Sequence, residues 1–353
     1  MAETSTITVN GRVVEFQKGQ TILEACRGAE IFIPTLCHDD RLKPFGGCRL
    51  CIVDIEGVPK PLTSCTTPAT PGMVIKTESP RLSRLRKTII ELLLSNHPND
   101  CMCCEAAGSC SLQDLAYQYN ATGEKYAGAV VDLPIRQDNP FITYEPNKCI
   151  ACGRCVRICN DVVMAGTLTF VNRGFEALPD TAYCKPRTLD NCEFCGQCVS
   201  TCPTGALTDT KARGLGRYTE VKRVKTTCSY CGTGCNFFLN VKDNKVIRVT
   251  SDLDAVVNKG NLCIKGRYGY DFIHSEERLK TPLIREGETY REASWDEALE
   301  LIANRFKAII AEHGPESAGG FSSSRCSNEE NFLLQKWVRT AIGSNNVDNC
   351  ARV

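Results

Sequence analysis

No stretch of this chain is long and apolar enough to cross a bilayer. Ile89 to Leu94 is among the longest, where about 20 apolar residues are needed. Neither sign of charge is in excess, since 42 Lys and Arg stand against 41 Asp and Glu. That removes the electrostatic case for a nucleic acid or an anionic membrane as partner. Met1 to Asn10 carries no basic n-region, no apolar h-region and no twin arginine. The expectation is therefore a cytoplasmic location.

What the chain has in abundance is cysteine: 24 in 353 residues. A small secreted chain would use so many as disulfide staples. Here there is length enough for several domains with their own cores, no export signal, and tight C-x-x-C grouping. In a reducing compartment such groups remain thiolates and bind metal.

The fold class expected is α+β and multidomain. Residues 1–79 read as a small β-rich domain opened by a type I′ hairpin at Asn10-Gly11, with a short helix from Thr21 to Ala29. Ser79-Pro80 starts a helix running to about Asn96, striped by Leu82, Leu85, Ile89, Leu92 and Leu93. It opens a second domain over 80–119. Residues 120–139 read as a linker. Residues 140–213 hold an internal duplication. Residues 222–278 surround a hairpin, Phe237 to Lys242 with Lys245 to Thr250. From 279 an α/β domain begins. Ser294 and Glu297 form a capping box for a helix ending at Gly314, with Leu299, Ile302, Phe306 and Ile309 on its inner face. A strand near Gly320 and a helix from about Ser327 to Ile342 follow.

Four cysteine constellations carry the chemistry. Cys37, Cys48, Cys51 and Cys65 meet the four-thiolate requirement of a 2Fe–2S cluster, and Gly46-Gly47 lets backbone amides approach its sulfides. Structural zinc uses the same donors, and spacing alone leaves it open. The β-grasp-like strands in front favour a plant-type ferredoxin. His97, Cys101, Cys104 and Cys110 form a second set, in which Cys103 remains an alternative to Cys104. A neutral imidazole in place of a thiolate is expected to raise the potential of a 4Fe–4S cluster.

The third constellation is a C-x-x-C-x-x-C-x-x-x-C unit written twice, the run of two-cluster bacterial ferredoxins. There the fourth cysteine of each unit ligates the other cluster. One 4Fe–4S cluster thus takes Cys149, Cys152, Cys155 and Cys202, and the other Cys159, Cys192, Cys195 and Cys198. The first unit ends Cys159-Asn160 where the second ends Cys202-Pro203, a minor departure. The fourth constellation is Cys228, Cys231, Cys235 and the distant Cys263, again open to zinc on spacing alone. Beside four upstream clusters it reads as a fifth station. Iron, held by these ligands, is the only metal expected in the chain. Cys26, Cys103, Cys184, Cys326 and Cys350 are left over and are expected to be buried thiols.

From 1 to about 213 the chain resembles the large iron–sulfur subunit of respiratory complex I. It equally resembles the front halves of [FeFe]-hydrogenases and of NAD(P)-linked formate dehydrogenases. The hydrogenases' T-S-C-C-P motif is absent. Cys228 to Gly269 instead looks like the 4Fe–4S domain that opens molybdopterin oxidoreductases. The stretch from Ser322 to Val353, S-S-S-R-C-S-N-E-E-N-F-L-L-Q-K-W-V-R-T-A-I-G-S-N-N-V-D-N-C-A-R-V, is similar to formate dehydrogenase catalytic subunits. The resemblance implies that Lys265, two residues past Cys263, is an electron relay toward a pterin. It also implies that the molybdenum or tungsten ligand, a selenocysteine or cysteine, falls directly after Val353. The codon after Val353 would then be UGA, taken as a stop where selenocysteine is inserted, and the molybdopterin would be bound by the full-length protein only.

The parent reaction implied is interconversion of formate and CO2. Its electrons pass through one 2Fe–2S and four 4Fe–4S clusters to a flavoprotein NAD(P)-binding subunit and a small 2Fe–2S subunit, with ferredoxin as a further acceptor. The alternative is a naturally short, non-catalytic relay subunit of a diaphorase or an electron-bifurcating complex.

Overall fold

In the Asn10-Gly11 turn both residues have positive φ, 52° and 83°, the backbone that a type I′ turn demands. The turn joins β1 (Thr4–Val9) to β2 (Arg12–Gln17). The computed structural model describes residues 4–351; Val353, the reference point for the expected metal ligand, lies outside them. The chain divides into two compact units, residues 1–221 and 222–353.

The first unit begins with a five-stranded sheet in the order β2-β1-β5-β3-β4. Its other strands are β3 (Ile52–Ile55), β4 (Leu62–Thr63) and β5 (Val74–Lys76). β5 runs parallel to β1 and antiparallel to β3. Helix α1 (Ile22–Gly28) is started by Thr21 and Glu24 in a reciprocal capping box. It buries Ile22, Leu23, Ala25 and Cys26 against Ile7, Val9, Phe16, Val53 and Ile75. Each large side chain so covered contributes about 1.5–3 kcal/mol. The loop between α1 and β3 carries three of the first four cysteines.

Helix α2 (Pro80–Leu94) is capped by Ser79, whose side chain accepts from the Leu82 amide. Its buried face differs from the expected stripe. Leu82, Arg86, Ile90, Glu91 and Leu94 are inside, while Leu85 and Leu92 are exposed. The reason is polar. Arg86 donates to the carbonyls of Leu50 (3.2 Å) and Ile52 (2.7 Å), and Glu91 accepts from the amides of Thr122 and Gly123. These bonds satisfy backbone groups that burial would otherwise penalise, and they rotate the helix away from its most leucine-rich side. Helix α3 (Ser111–Tyr119) packs on α2 through Leu112 and Leu115.

The duplication is written in the backbone. Ala151 and Gly153 have φ of 50° and 69°; Phe194 and Gly196 have 50° and 68°. Each left-handed pair turns the chain into a short helix, α4 (Arg154–Arg157) and α5 (Gln197–Thr201). Between and around them lie the antiparallel pairs of β6 (Ile142–Tyr144) with β9 (Leu207–Asp209), and β7 (Leu168–Val171) with β8 (Leu178–Thr181).

In the second unit β10 (Lys222–Thr227), β11 (Asn236–Lys242) and β12 (Lys245–Ser251) form an antiparallel sheet. Asp243-Asn244, both at positive φ, close the expected hairpin. A short helix α6 (Ile264–Tyr268) follows Cys263. The hairpin of β13 (Leu283–Glu286) and β14 (Thr289–Glu292) is an addition to the expected elements. Helix α7 (Trp295–His313) is capped by Ser294, but the box is half made. Glu297 gives its carboxylate to Arg291 instead. Of the expected inner face Phe306 reaches the local core, joined by Ile310, whereas Leu299, Ile302 and Ile309 are exposed. β15 (Gly320–Ser322), α8 (Asn328–Trp337) and β16 (Val347–Asn349) make a parallel β-α-β unit. Among the described residues no helix is long and apolar enough to cross a membrane.

Candidate iron–sulfur sites

Four thiols meet in the first site as two pairs. The Cys48 amide donates to Cys37 Sγ, and the Leu36 amide to Cys48 Sγ, each at 3.4 Å. The Cys48 side chain and then the amides of Cys48 and Gly47 bring Cys37 down to about 5 despite burial. Cys65 does the same for Cys51, bringing it down to about 6. Cys48 and Cys65 are correspondingly pushed up. A buried loop that stabilises thiolate in each pair suits an anionic ligand set. Gly46 takes φ 69°, and a Cβ at Gly47 would fall 2.6 Å from the Phe45 ring.

At the second site His97 Nδ1 shares a 2.9 Å hydrogen bond with the Pro98 carbonyl. A carbonyl can only accept, so the proton sits on Nδ1 and the Nε2 lone pair is free. Nε2 is buried with no protein partner. Burial holds the ring pKa down, which keeps the imidazole neutral, as a metal ligand must be. His97, Cys101 and Cys110 line one cavity. Cys104 lies beside them, close enough for its charge to raise Cys110, and packs against Gly205, where a Cβ would stand 2.6 Å from its sulfur. Cys103 is exposed. Lys148, buried, pairs with Glu145 (2.7 Å) and Asp100 (3.1 Å). It ties the Cys101–Cys110 loop to the duplicated region.

The duplicated region encloses two cavities. One is lined by Cys149, Cys152, Cys155 and Cys202. The other is lined by Cys159, Cys192, Cys195 and Cys198. Each therefore collects three cysteines from one unit and the fourth from the other. Burial pushes the Cys149 and Cys152 thiols up to about 12. Deprotonation there needs a metal to compensate the charge. The donor chemistry and the cavity walls fit 4Fe–4S clusters. Two features escaped the sequence reading, buried Arg187 and Tyr144 in the cavity walls, because neither belongs to a cysteine motif.

In the second unit the Cys228 amide donates to the Cys235 carbonyl at 2.8 Å. Burial and then the charges of Cys263 and Cys231 push Cys228 up, and burial with the charges of Cys228, Cys231 and Cys263 does the same for Cys235, so the four lie close together. Cys231 runs against this, lowered first by the Thr233 hydroxyl, with Lys265 adding a smaller charge effect. Lys265 is exposed on α6. Of the remaining cysteines Cys26 is buried, Cys326 is half-buried, and Cys103, Cys184 and Cys350 are exposed. The expectation of buried thiols therefore fails for those three, which sit in polar loops rather than on an apolar face.

These sites define an iron–sulfur oxidoreductase. Five family profiles match in succession. A 2Fe–2S iron–sulfur cluster binding domain covers residues 2–80, the NADH-ubiquinone oxidoreductase-G iron–sulfur binding region 86–124, and a ferredoxin-like domain of NADH-quinone oxidoreductase subunit 3 139–208. A molybdopterin oxidoreductase Fe4S4 domain covers 221–275 and molybdopterin oxidoreductase 278–353. The chain belongs to the iron–sulfur molybdopterin oxidoreductase family with NADH-quinone oxidoreductase G-like relatives. It is 41% identical over 347 residues to the NADPH-Fe(3+) oxidoreductase subunit alpha of Geobacter sulfurreducens, and 37% identical over 349 to a G-type NADH-quinone oxidoreductase chain of Rhizobium meliloti. Both alignments take in 98% of this chain and 40% of the relative. A Staphylococcus aureus relative provisionally named a formate dehydrogenase is 31% identical, over 100% of this chain and 39% of its own. The chain thus spans about 40% of the length of these curated relatives. Among solved structures, a chain of an NAD+-reducing [NiFe]-hydrogenase is 31% identical with TM-score 0.54, covering 60% of this chain and 90% of that one.

Proposed function

We propose that the chain is the electron-transferring iron–sulfur portion of an NAD(P)-linked oxidoreductase, and that its parent is a formate dehydrogenase catalytic subunit. The observation that carries the relay reading is the pair of cavities, each lined by a crossed set of four cysteines. In this reading Cys37, Cys48, Cys51 and Cys65 hold a 2Fe–2S cluster. His97, Cys101, Cys104 and Cys110 hold a 4Fe–4S cluster, the two crossed sets hold two more, and Cys228, Cys231, Cys235 and Cys263 a fifth centre. When bound, these clusters supply one-electron redox chemistry.

The protein's own part is to bury the ligands, donate backbone N–H groups to sulfur and exclude water. Lys265, beside Cys231, is the residue proposed to face a pterin. Support for formate as substrate is the sequence from Ser322 to Val353 and the similarity to the Staphylococcus aureus relative. A flavoprotein NAD(P)-binding subunit, a small 2Fe–2S subunit and ferredoxin are the proposed partners. Formate-dependent dye reduction by the native complex, with molybdenum and tungsten analysis, tests the assignment. Absence of both metals and of formate activity would overturn it. That result would favour a relay subunit of a diaphorase, the reading supported by the likeness to the NAD+-reducing hydrogenase chain.

A further inference from the structure

Arg187 is 3% exposed, and its side chain lines both cavities of the duplicated region. It opens a 3-10 turn, Arg187–Leu189, just ahead of the second cysteine unit. Its backbone amide is fastened to Asp138 Oδ2 at 3.2 Å. Through Nη1 it donates to Cys198 Sγ at 3.7 Å, and its guanidinium carbon lies 6.0 Å from the centre of the Tyr144 ring. Among the described residues no carboxylate pairs with this guanidinium. A buried charge without a counter-charge costs several kcal/mol, so the site makes sense only with anions beside it. Cys198 and Cys192 from one set and Cys155 from the other lie close enough to act on Arg187, and as cluster ligands they would be those anions.

Tyr144 sits on one side alone. It is 4% exposed and lines the Cys149 cavity. Its hydroxyl is buried, meets no partner at close hydrogen-bond geometry, and points toward the Cys149 sulfur, whose pKa it lowers against the larger effect of burial. A buried hydroxyl of that kind is short of an acceptor, and cluster-bound sulfur would be one.

We propose that Arg187 is a shared positioning residue, one guanidinium that stabilises the reduced state at both crossed cysteine sets, while Tyr144 supports the Cys149 set alone. The inference rests on the crossed ligand sets proposed above. A cation in a low-dielectric wall favours the more negative redox state, and it acts on both sides because burial keeps it from bulk solvent. Only arginine suits the place. A planar fork can address two directions and stack on a ring, whereas an ammonium is a compact point charge.

The test is a redox titration followed by paramagnetic resonance on the full chain reconstituted without oxygen. Among the four 4Fe–4S clusters expected in wild type, two should give signals that the Cys159 and Cys202 variants remove one at a time. Their absence would defeat the ligand reading itself. With both signals present, Arg187→Gln is expected to lower the reduced-to-oxidised ratio about tenfold at both clusters at fixed ambient potential, a shift of about 59 mV for one electron. The 2Fe–2S signal should stay unmoved as a control. Arg187→Lys is expected to spare one cluster and lower the other, and it decides the matter if the glutamine variant fails to retain iron. Tyr144→Phe should lower the Cys149-set cluster alone, about threefold in the same ratio. Unchanged midpoints at both clusters in the arginine variants, with iron retained, would overturn the proposal.

Discussion

Arg154 donates through Nη2 to Asp39 Oδ2 at 3.0 Å, joining a residue just before Cys155 to one just after Cys37. Thr201, which precedes Cys202, donates to the same oxygen at 2.7 Å. Arg41 closes the other side of the carboxylate. Nearby, Arg157 donates to the carbonyls of Cys37 and Lys43 and lies over the Phe45 ring. A single buried carboxylate thus clamps the first cysteine loop onto both of the duplicated motifs. Burial opposes its ionisation, yet Arg41 and Thr201 hold Asp39 well below the usual carboxylate range.

Asp39→Asn should therefore be costly. It leaves the half-buried Arg154 and Arg41 without their counter-charge, which is expected to destabilise by about 3 kcal/mol. Thr201→Val removes one hydrogen bond and should cost about 1–2 kcal/mol. Thermal melting of the reconstituted chain reads both. Equal melting temperatures for wild type and Asp39→Asn would show that the carboxylate carries no structural load.

The full complement of ligand sets predicts about 18 iron atoms per chain, one 2Fe–2S and four 4Fe–4S clusters. Anaerobic reconstitution followed by iron, sulfide and zinc analysis measures this. About ten iron atoms with stoichiometric zinc would mean that two of the 4Fe–4S assignments belong to structural zinc instead.

Crossed ligation makes an unusual demand on single-cysteine variants. Cys159→Ala should damage the cluster of Cys192, Cys195 and Cys198, and Cys202→Ala that of Cys149, Cys152 and Cys155. Paramagnetic resonance resolves which signal is lost. Loss of the sequence-local cluster in both variants would rule the scheme out, whatever the cavities show.

The features legible in the sequence were those fixed by short-range chemistry. Cysteine spacing located the candidate sites, Asn10-Gly11 gave its turn, and Ser79 and Ser327 gave their helix starts, because each depends on neighbours within a few residues. Buried polar groups were illegible. Arg86, Asp39 and Arg187 are held inside by partners far away in the chain, and no periodicity announces that. Arg86 even misdirected the reading of α2, since its carbonyl partners outweigh the leucine count on the neighbouring face. The strands β10, β13 and β14 were missed for a related reason. Their residues are mostly polar and exposed, so the alternation that marks a half-buried strand is absent.

His97 offers the sharpest single-residue test of the second site. Its Nδ1 is committed to the Pro98 carbonyl and its Nε2 is buried and unpartnered, an arrangement that leaves one lone pair for iron. Replacing it by cysteine keeps a ligand but turns a neutral donor into an anion. The added negative charge disfavours the reduced state, so His97→Cys should retain iron and lower the midpoint of that cluster by on the order of 100 mV. His97→Ala removes the ligand and should cost the cluster itself, with Cys101, Cys104 and Cys110 left as an incomplete set. Redox titration of the cysteine variant and iron analysis of the alanine variant separate the roles. An unchanged midpoint in the first, together with full iron in the second, would make His97 a buried structural residue and point to Cys103 as the missing fourth ligand.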